Sequence, residues 1–386
     1  MPTTTFARAR LRADWRATPR PAPPTPTGQP DRVLLGTVAA LLALGLLMVL
    51  SASQLSVASD PWYWFRKQAL YAVVGLVALA IVARVDYHWW QRVTVWGMLA
   101  TLALLLVVLV VGQSAYGAQR WLNLGIFTFQ PSEVAKLALA LYLAHWLTGR
   151  DDQVRRFRDG LLPFAAMTGL VLALVLRQND LGTAVVIAAM AVTLFVVAGA
   201  NLLWLAPALA MGAGALALLV ARSGVRRARL DAWLHPLPPG CADAASYQLC
   251  QGLISLGSGG WFGRGLGASL QKAGYLPNPF TDSIFAVIGE ELGLMGCLLT
   301  LALFATLAFR GLRVCRRAPD RYGALLACGI TTWLVAQALI NVGSVVDAIP
   351  FTGVPLPLVS YGGSSLVVSL AAVGILLNIS RTARRV

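Results

Sequence analysis

Residues 276–293, LPNPFTDSIFAVIGEELG, bring three carboxylates to the margin of an apolar helix, and chemistry is expected there. Asp282 stands just ahead of the run Ile284, Phe285, Ala286, Val287 and Ile288, while Glu290 and Glu291 follow inside otherwise apolar sequence. A carboxylate in a bilayer-type helix costs about 2.5 to 3.5 kcal/mol on insertion scales, so such a group marks a functional or strongly paired site. Asp282 has two readings. As the N-cap of the helix it satisfies orphan N–H groups; as a free carboxylate it takes a proton or holds a cation, and capping does not exclude that role.

Other polar stretches could serve the same chemistry. In GQSAYGAQRWLNLGIFTFQPSEVAK, residues 112–136, Pro131 suits the first position of a helix and Glu133 its first turn. Glu133 and Lys136 share a helix face and can pair, so with Gln130 they read as cavity or structural support. Arg120, beside Trp121, is the better anion contact, because a planar guanidinium matches phosphate. Asp180, in RQNDLGT, either caps the next helix or faces a cavity. Residues 257–267, GSGGWFGRGLG, hold six glycines and match neither a dinucleotide fingerprint nor a P-loop; Lys272 follows as a second candidate cation. Ser360, Tyr361, Gly362, Gly363, Ser364 and Ser365 open the last helix, where N–H groups behind glycines suit an anion-binding nest. A tight turn that needs glycine for packing is the other reading of that run.

The elements that must position these residues are membrane helices. Hydrophobic residues make up 58% of the 386 and charged residues only 12%, against about 25% charged in globular domains. Ten apolar runs begin near residues 32, 66, 92, 132, 161, 181, 202, 283, 323 and 361, and a span needs about 20 such residues. The expected fold is an all-α polytopic membrane protein with about ten transmembrane helices over 33–380. One large extracytoplasmic loop, 222–281, lies between the seventh and eighth. Within it SYQLCQGLIS, 246–255, has the spacing of a short amphipathic surface helix.

The net charge of +15 is spread through short connections instead of forming one basic face. It therefore indicates no nucleic acid, and follows the positive-inside rule with both termini cytoplasmic. Residues 1–32 carry seven prolines and six arginines and are expected to be a disordered tail in reach of membrane lipids; 381–386 form a short cytoplasmic end. The aromatic and basic run DPWYWFRK, 60–67, reads as an interfacial belt. Of five cysteines, Cys241 and Cys250 fall in the large loop and are a candidate disulfide. No Cys/His spacing typical of a metal site occurs.

Together AQRWLNLG, FQPSEVAK, QNDLGT, YQLCQGLIS, GSGGWFGRGLGASLQKAGYLP, TDSIFAVIGEELG and PLPLVSYGGSS resemble the SEDS family, the bacterial proteins of shape, elongation, division and sporulation. The resemblance runs from about residue 33 to 380 with the motifs in the same order, and MVLSAS, DPWYWFRKQ and RRARLDAWLHP look most like its division branch. It implies a peptidoglycan glycosyltransferase of the cytoplasmic (inner) membrane, acting at the division septum, that polymerises lipid II into β-1,4 glycan. The family's essential carboxylate maps onto Asp282. The chain departs from the family pattern at Asn179, usually Pro, at Asn278, Pro279 and Phe280, usually a Glu-Ala-His-like tripeptide, and at Ser283, usually Phe.

By this resemblance Asp282 is a general base or a ligand of a divalent cation (Mg or Mn), with no organic cofactor. Arg120, Lys272 and the backbone of 360–365 meet the leaving pyrophosphate. The implied partners are lipid II, a class B penicillin-binding protein transpeptidase and division proteins. The competing readings are a lipid II flippase, or the polymerase of the elongation branch. A transporter is expected to hold its ionisable site near the midplane in repeat-related broken helices, whereas Asp282 sits at a helix end beside the long loop.

Overall fold

Each of the ten apolar runs is a helix in the computed structural model, which describes residues 28–55, 60–115, 118–123, 125, 128–150, 152–234 and 244–382. In chain order they begin with α1 (Arg32–Ser53), α2 (Tyr63–Val82) and α3 (Trp89–Val111). Then come three short strands, β1 (Gln113–Ala115), β2 (Ala118–Asn123) and β3 (Thr128–Phe129), paired antiparallel in that order. Next are α4 (Pro131–Thr148), α5 (Leu162–Arg177), α6 (Leu181–Val197) and α7 (Leu202–Ala221). The long connection contributes α8 (Gly224–Leu234) and α9 (Ala244–Ser258), and α10 (Ile284–Arg317), α11 (Arg321–Val345) and α12 (Gly363–Thr382) complete the bundle. Among the described residues, eight helices are long and apolar enough to cross a membrane. The 17-residue α6 is shorter, and α4 carries a buried ion pair. The tail expected over 1–32 falls mostly outside the described residues, as does Cys241; Cys250 is disulfide-bonded.

Local chemistry sets the helix starts. Asp31, Asp180, Asn201 and Asp320 each accept a backbone N–H of the first turn of α1, α6, α7 and α11. Large side chains such as Trp333, Tyr322, Phe195 and Phe285 are fully enclosed where helices meet. The bundle packs chiefly as α12 on α2, α11 on α10 and α6, and α4 on α3. By contrast, α7 stands apart: Leu205 alone in it is buried among the described residues.

The end of the bundle that carries the termini is tied by polar contacts. Arg310 Nε donates to Asp31 Oδ2 at 2.8 Å. Asp320 accepts from Tyr87 and lies 3.3 Å from His88 Nε2, while His88 Nδ1 is 2.8 Å from Asp86.

The glycine-rich run grips α10 at the other end. Gly293 has non-helical backbone angles that break α10 into two segments. The freed N–H groups of Leu294 and Met295 donate to Gly260 O at 2.9 Å and Trp261 O at 3.2 Å. Arg264 N and Gly265 N in turn donate to Glu290 O and Glu291 O. The expected amphipathic helix exists as α9, but it is not a free surface helix. Ser255, fully buried, donates from Oγ to Ala286 O at 3.1 Å and Glu290 Oε2 at 2.9 Å.

Candidate active site

Asp282 lies ahead of α10, outside the spanning segment, on a backbone clamped by the last connection, 346–362. Asn341 Nδ2 donates to Asp282 O at 2.8 Å and to Val354 O at 2.7 Å. Ser360 Oγ donates to Thr281 O at 2.6 Å while accepting Leu356 N at 2.8 Å. Tyr361 N donates to Phe280 O at 2.8 Å. Gln68 of α2 closes the clamp, donating to Ser360 O at 3.1 Å and accepting Gly362 N at 3.3 Å.

The backbone of 280–282 is thus held from α2, α11 and the last connection, but its carboxylate is left open. The capping reading of Asp282 is not realised: Ser283 is the N-cap residue and makes no side-chain cap bond. Nor is Asp282 the donor or acceptor of any other side-chain hydrogen bond among the described residues. Its half-buried carboxylate faces Gly353, at φ +69°, where an added Cβ would lie 3.3 Å from Oδ2. Only a residue without a side chain both tolerates that φ and leaves the space open.

Two arginines from distant segments converge on this carboxylate. Arg120, in β2, places Nη1 3.7 Å from Asp180 Oδ1 and donates to the carbonyls of Gln178, at 3.3 Å, and Asn179. Asp180 is further held by Gln130 Nε2 at 3.3 Å and Thr183 N at 3.2 Å. Asn179, at φ +58°, accepts Arg226 Nη2 of α8 on Oδ1 at 3.0 Å. One turn further along α8, Arg229 is coupled to both Arg120 and Asp282. Burial pushes the Asp282 carboxyl up to about 7; Arg120 opposes the rise, Asp180 adds to it and Arg229 opposes it. Partial desolvation and the like charge of Arg120 pull Arg229 down, with Asp282 opposing.

The structure therefore brings Asp282, Arg120, Asp180 and Gln130 together. Ser360 and Tyr361 adjoin them through the clamp on Thr281 and Phe280, whereas Lys272, Glu133, Lys136, Glu290 and Glu291 lie elsewhere. Lys272 is enclosed: Nζ sits 2.8 Å from Glu291 Oε1 and donates to Ser51 Oγ at 3.0 Å, and its side chain is 3% exposed. That pairing removes Lys272 from the candidates for pyrophosphate contact. Glu290 and Glu291 are structural. Glu290 accepts Ser269 Oγ at 2.6 Å and Leu270 N at 2.9 Å, and Glu291 accepts Ser51 Oγ. Glu133 and Lys136 pair at 2.8 Å in the interior, where Lys136 also donates to Gln337 Oε1 at 2.7 Å and lies 5.1 Å from the Trp333 ring centroid.

Within the run 360–365 the close packing is found at Gly363. Gly363 presses on the Tyr71 ring, where a Cβ would come within 2.5 Å. Ser364 donates to Thr128 O and accepts Gln130 N, and Ser365 is buried. Sequence reasoning missed Arg229, Asn341 and Gly353. The three-residue spacing of Arg226 and Arg229 on one helix face was the available signal for Arg229; the others depend on tertiary contacts alone.

A bundle of apolar helices with one open carboxylate between arginines at a loop-covered end defines a polytopic membrane protein with a polar cleft at that end. The chain belongs to the cell cycle protein family of FtsW, RodA and SpoVE, whose model matches residues 31–385. It is 38% identical to a probable peptidoglycan glycosyltransferase FtsW of Geobacter sp. (strain M18), covering 92% of this chain and 97% of that protein. The stage V sporulation protein E of Bacillus subtilis (strain 168) is also 38% identical, over 92% and 98%. Among solved structures, Thermus thermophilus rod shape determining protein RodA matches with a TM-score of 0.69 at 32% identity, covering 92% and 98%. A chain from a study of structural coordination of polymerization and crosslinking by a peptidoglycan synthase complex matches with 0.74 at 31%, covering 91% and 98%.

Proposed function

We propose that this chain is a peptidoglycan glycosyltransferase that polymerises lipid II during septal wall synthesis, with Asp282 as the general base. The observation that carries the reading is the open Asp282 carboxylate, pushed up to about 7 and facing the space beside Gly353 between Arg120 and Arg229. Asp282 takes the proton of the acceptor 4-hydroxyl as that oxygen bonds to C1 of the donor sugar. The bond from C1 to the phosphate oxygen breaks, and its electron pair leaves with the polyprenyl pyrophosphate. One base suffices for this inversion, and a positioned base is worth about 10² to 10⁴ in rate. Arg229, which has no carboxylate partner within salt-bridge distance among the described residues, and Arg120 neutralise the departing charge.

The described protein groups alone form no closed Mg or Mn site; a cation bound through the substrate pyrophosphate would take Asp282 as its protein ligand. Among the described residues no three His, Cys, Asp or Glu gather, and Asp180 is already occupied by Arg120, Gln130 and Thr183. The names of the relatives and the synthase-complex neighbour support a penicillin-binding transpeptidase as partner; division proteins and a septal site in the cytoplasmic membrane are part of the same reading, and the distribution of Lys and Arg supports both termini inside.

The test is polymerisation of labelled lipid II by wild type and Asp282→Asn, with the cognate transpeptidase present. Polymer from wild type and none from a monodisperse Asn variant supports the assignment. Equal polymer from both refutes it, and transport of lipid II across vesicles by both without polymerisation makes the protein a flippase.

A further inference from the structure

At the terminus-bearing end of the bundle, away from Asp282, α4 and α5 part to leave an apolar cleft of about 340 Å³. Tyr142, Trp146, Pro163, Phe164, Met167 and Leu170 line it. The separation has a local cause: the chain enters α5 through a π-helical turn, Phe157–Leu161, followed by Pro163. A π turn and a proline both spoil regular i to i−4 bonding and displace the helix start.

The mouth of the cleft is cationic. The Arg150 guanidinium lies 4.8 Å from the centroid of the Trp146 ring that forms the cleft wall. Arg150 Nη1 donates to Gln153 Oε1 at 3.2 Å and Asp159 O at 3.4 Å, and Arg150 has no carboxylate within salt-bridge distance among the described residues. Arg156, in contrast, pairs with Asp159 at 3.6 Å. Arg155, Arg156 and Arg158 surround the same connection and are exposed. Nearby, Trp204 at the start of α7 packs on Phe157 with centroids 5.3 Å apart and is 49% exposed, an aromatic placed as at a membrane interface.

We infer that this cleft is a binding site for an anionic phospholipid, its phosphate on Arg150 and one acyl chain between α4 and α5. Any exposed apolar cleft within a bilayer contacts acyl chains. What selects a headgroup here is the arginine held at the opening by a ring of the wall, and basic pockets between spanning helices on the cytoplasmic side recognise anionic lipids in this way. The bound chain fills the space that the π turn and Pro163 leave open. It braces α4, the helix that Gln130 precedes and that carries the Glu133–Lys136 pair.

The test uses the full chain in detergent, with lipid binding read by native mass spectrometry and thermal unfolding. Dioleoyl phosphatidylglycerol is compared with dioleoyl phosphatidylcholine, and glycerol phosphate serves as the phosphate without chains. Wild type should bind phosphatidylglycerol about fivefold tighter than phosphatidylcholine, the effect of one arginine at the surface. It should be stabilised by phosphatidylglycerol but not by glycerol phosphate. Arg150→Gln should lose the preference for the anionic lipid, Arg150→Lys should keep most of it, and Ala166→Phe, which fills the cleft from an exposed lining position, should weaken both lipids. Equal binding of the two lipids by wild type, an unchanged preference in Arg150→Gln, or the same stabilisation by glycerol phosphate alone would overturn the inference.

Discussion

Raising the pH from 6 to 8 should turn Asp282 from mostly acid to mostly base. With its carboxyl pushed up to about 7, roughly a tenth is ionised at pH 6 and about nine tenths at pH 8. The polymerisation rate should therefore climb close to tenfold, since only the ionised form accepts the proton. An ordinary aspartate, near 3.9, would give a flat profile over this range. Arg229 pulls the carboxyl down, so Arg229→Gln should move the midpoint to higher pH and lower the plateau. Initial rates of glycan formation from labelled lipid II, in buffers of constant ionic strength, would measure both effects.

The same displacement has a stability consequence of opposite sign to the catalytic one. A carboxyl whose folded pKa lies above its unfolded pKa binds protons more tightly when folded. Its cost is absent below the unfolded value and grows until the pH passes the folded value. Asp282→Asn should then be inactive yet have a higher Tm than wild type at pH 8, with the difference vanishing near pH 4. A flat rate profile between pH 5.5 and 8, or a downward shift in Arg229→Gln, would refute the reasoning.

Three further outcomes follow from other contacts. Lys272→Met leaves Glu291 buried without its cation, a loss of about 3 to 5 kcal/mol; Tm should fall by several degrees, with part regained in the double variant Lys272→Met, Glu291→Leu. Gly353→Ala places a methyl 3.3 Å from Asp282 Oδ2 at φ +69°, and should cut polymerisation well below Gly125→Ala, where φ is also positive but nothing lies within 4 Å. His88 is raised, first by its bond to Asp320, so its stabilisation is full below about 6.5 and disappears as pH rises through the folded value. The Tm gap between wild type and His88→Gln should accordingly be wider at pH 6 than at pH 8.5.

How much of this was legible in the chain follows from the range of the forces involved. Spanning helices need about 20 apolar residues in succession, a local requirement, so all ten runs start within three residues of the observed helices. The strand Ala118–Asn123 lacks an alternating pattern and exists through pairing with neighbours, as Leu122 opposite Phe129. Asp282 stood out because a carboxylate beside Ile284–Ile288 is costly wherever it points. Arg120 and Asp180 stood out singly, as an anion contact and a cap or cavity residue, but Arg229 did not, and the meeting of all three with Asp282 across three separate connections was not legible. Lys272 has the composition of a ligand for phosphate, and only the fold shows its ammonium already paired with Glu291 and bonded to Ser51. The glycines of 362–363 likewise suit a nest or a close approach equally well until Tyr71 is found against one of them.

Three of the positions at which this chain departs from the SEDS pattern, Phe280, Ser283 and Asn179, make contacts beside Asp282 or to the helix that carries Arg229. Phe280 packs against Trp64, tilted with centroids at 5.4 Å, and edge-on against Tyr361, at 5.7 Å, so an apolar ring ties α2 to the last connection directly beside Asp282. Ser283 accepts Gln248 Nε2 at 3.0 Å and donates to Pro277 O at 3.2 Å, joining α9 to the start of α10 by hydrogen bonds. Asn179 adopts a left-handed backbone, which proline cannot, since its ring fixes φ near −65°. Its side chain uses that turn to receive Arg226. Because Arg226 and Arg229 share one face of α8, the Asn179 contact aims the helix that presents Arg229 to Asp282. Changing Asn179 to proline therefore disturbs the arginine's position as well as the turn, and a restored family residue here is expected to be less active than the one the chain carries.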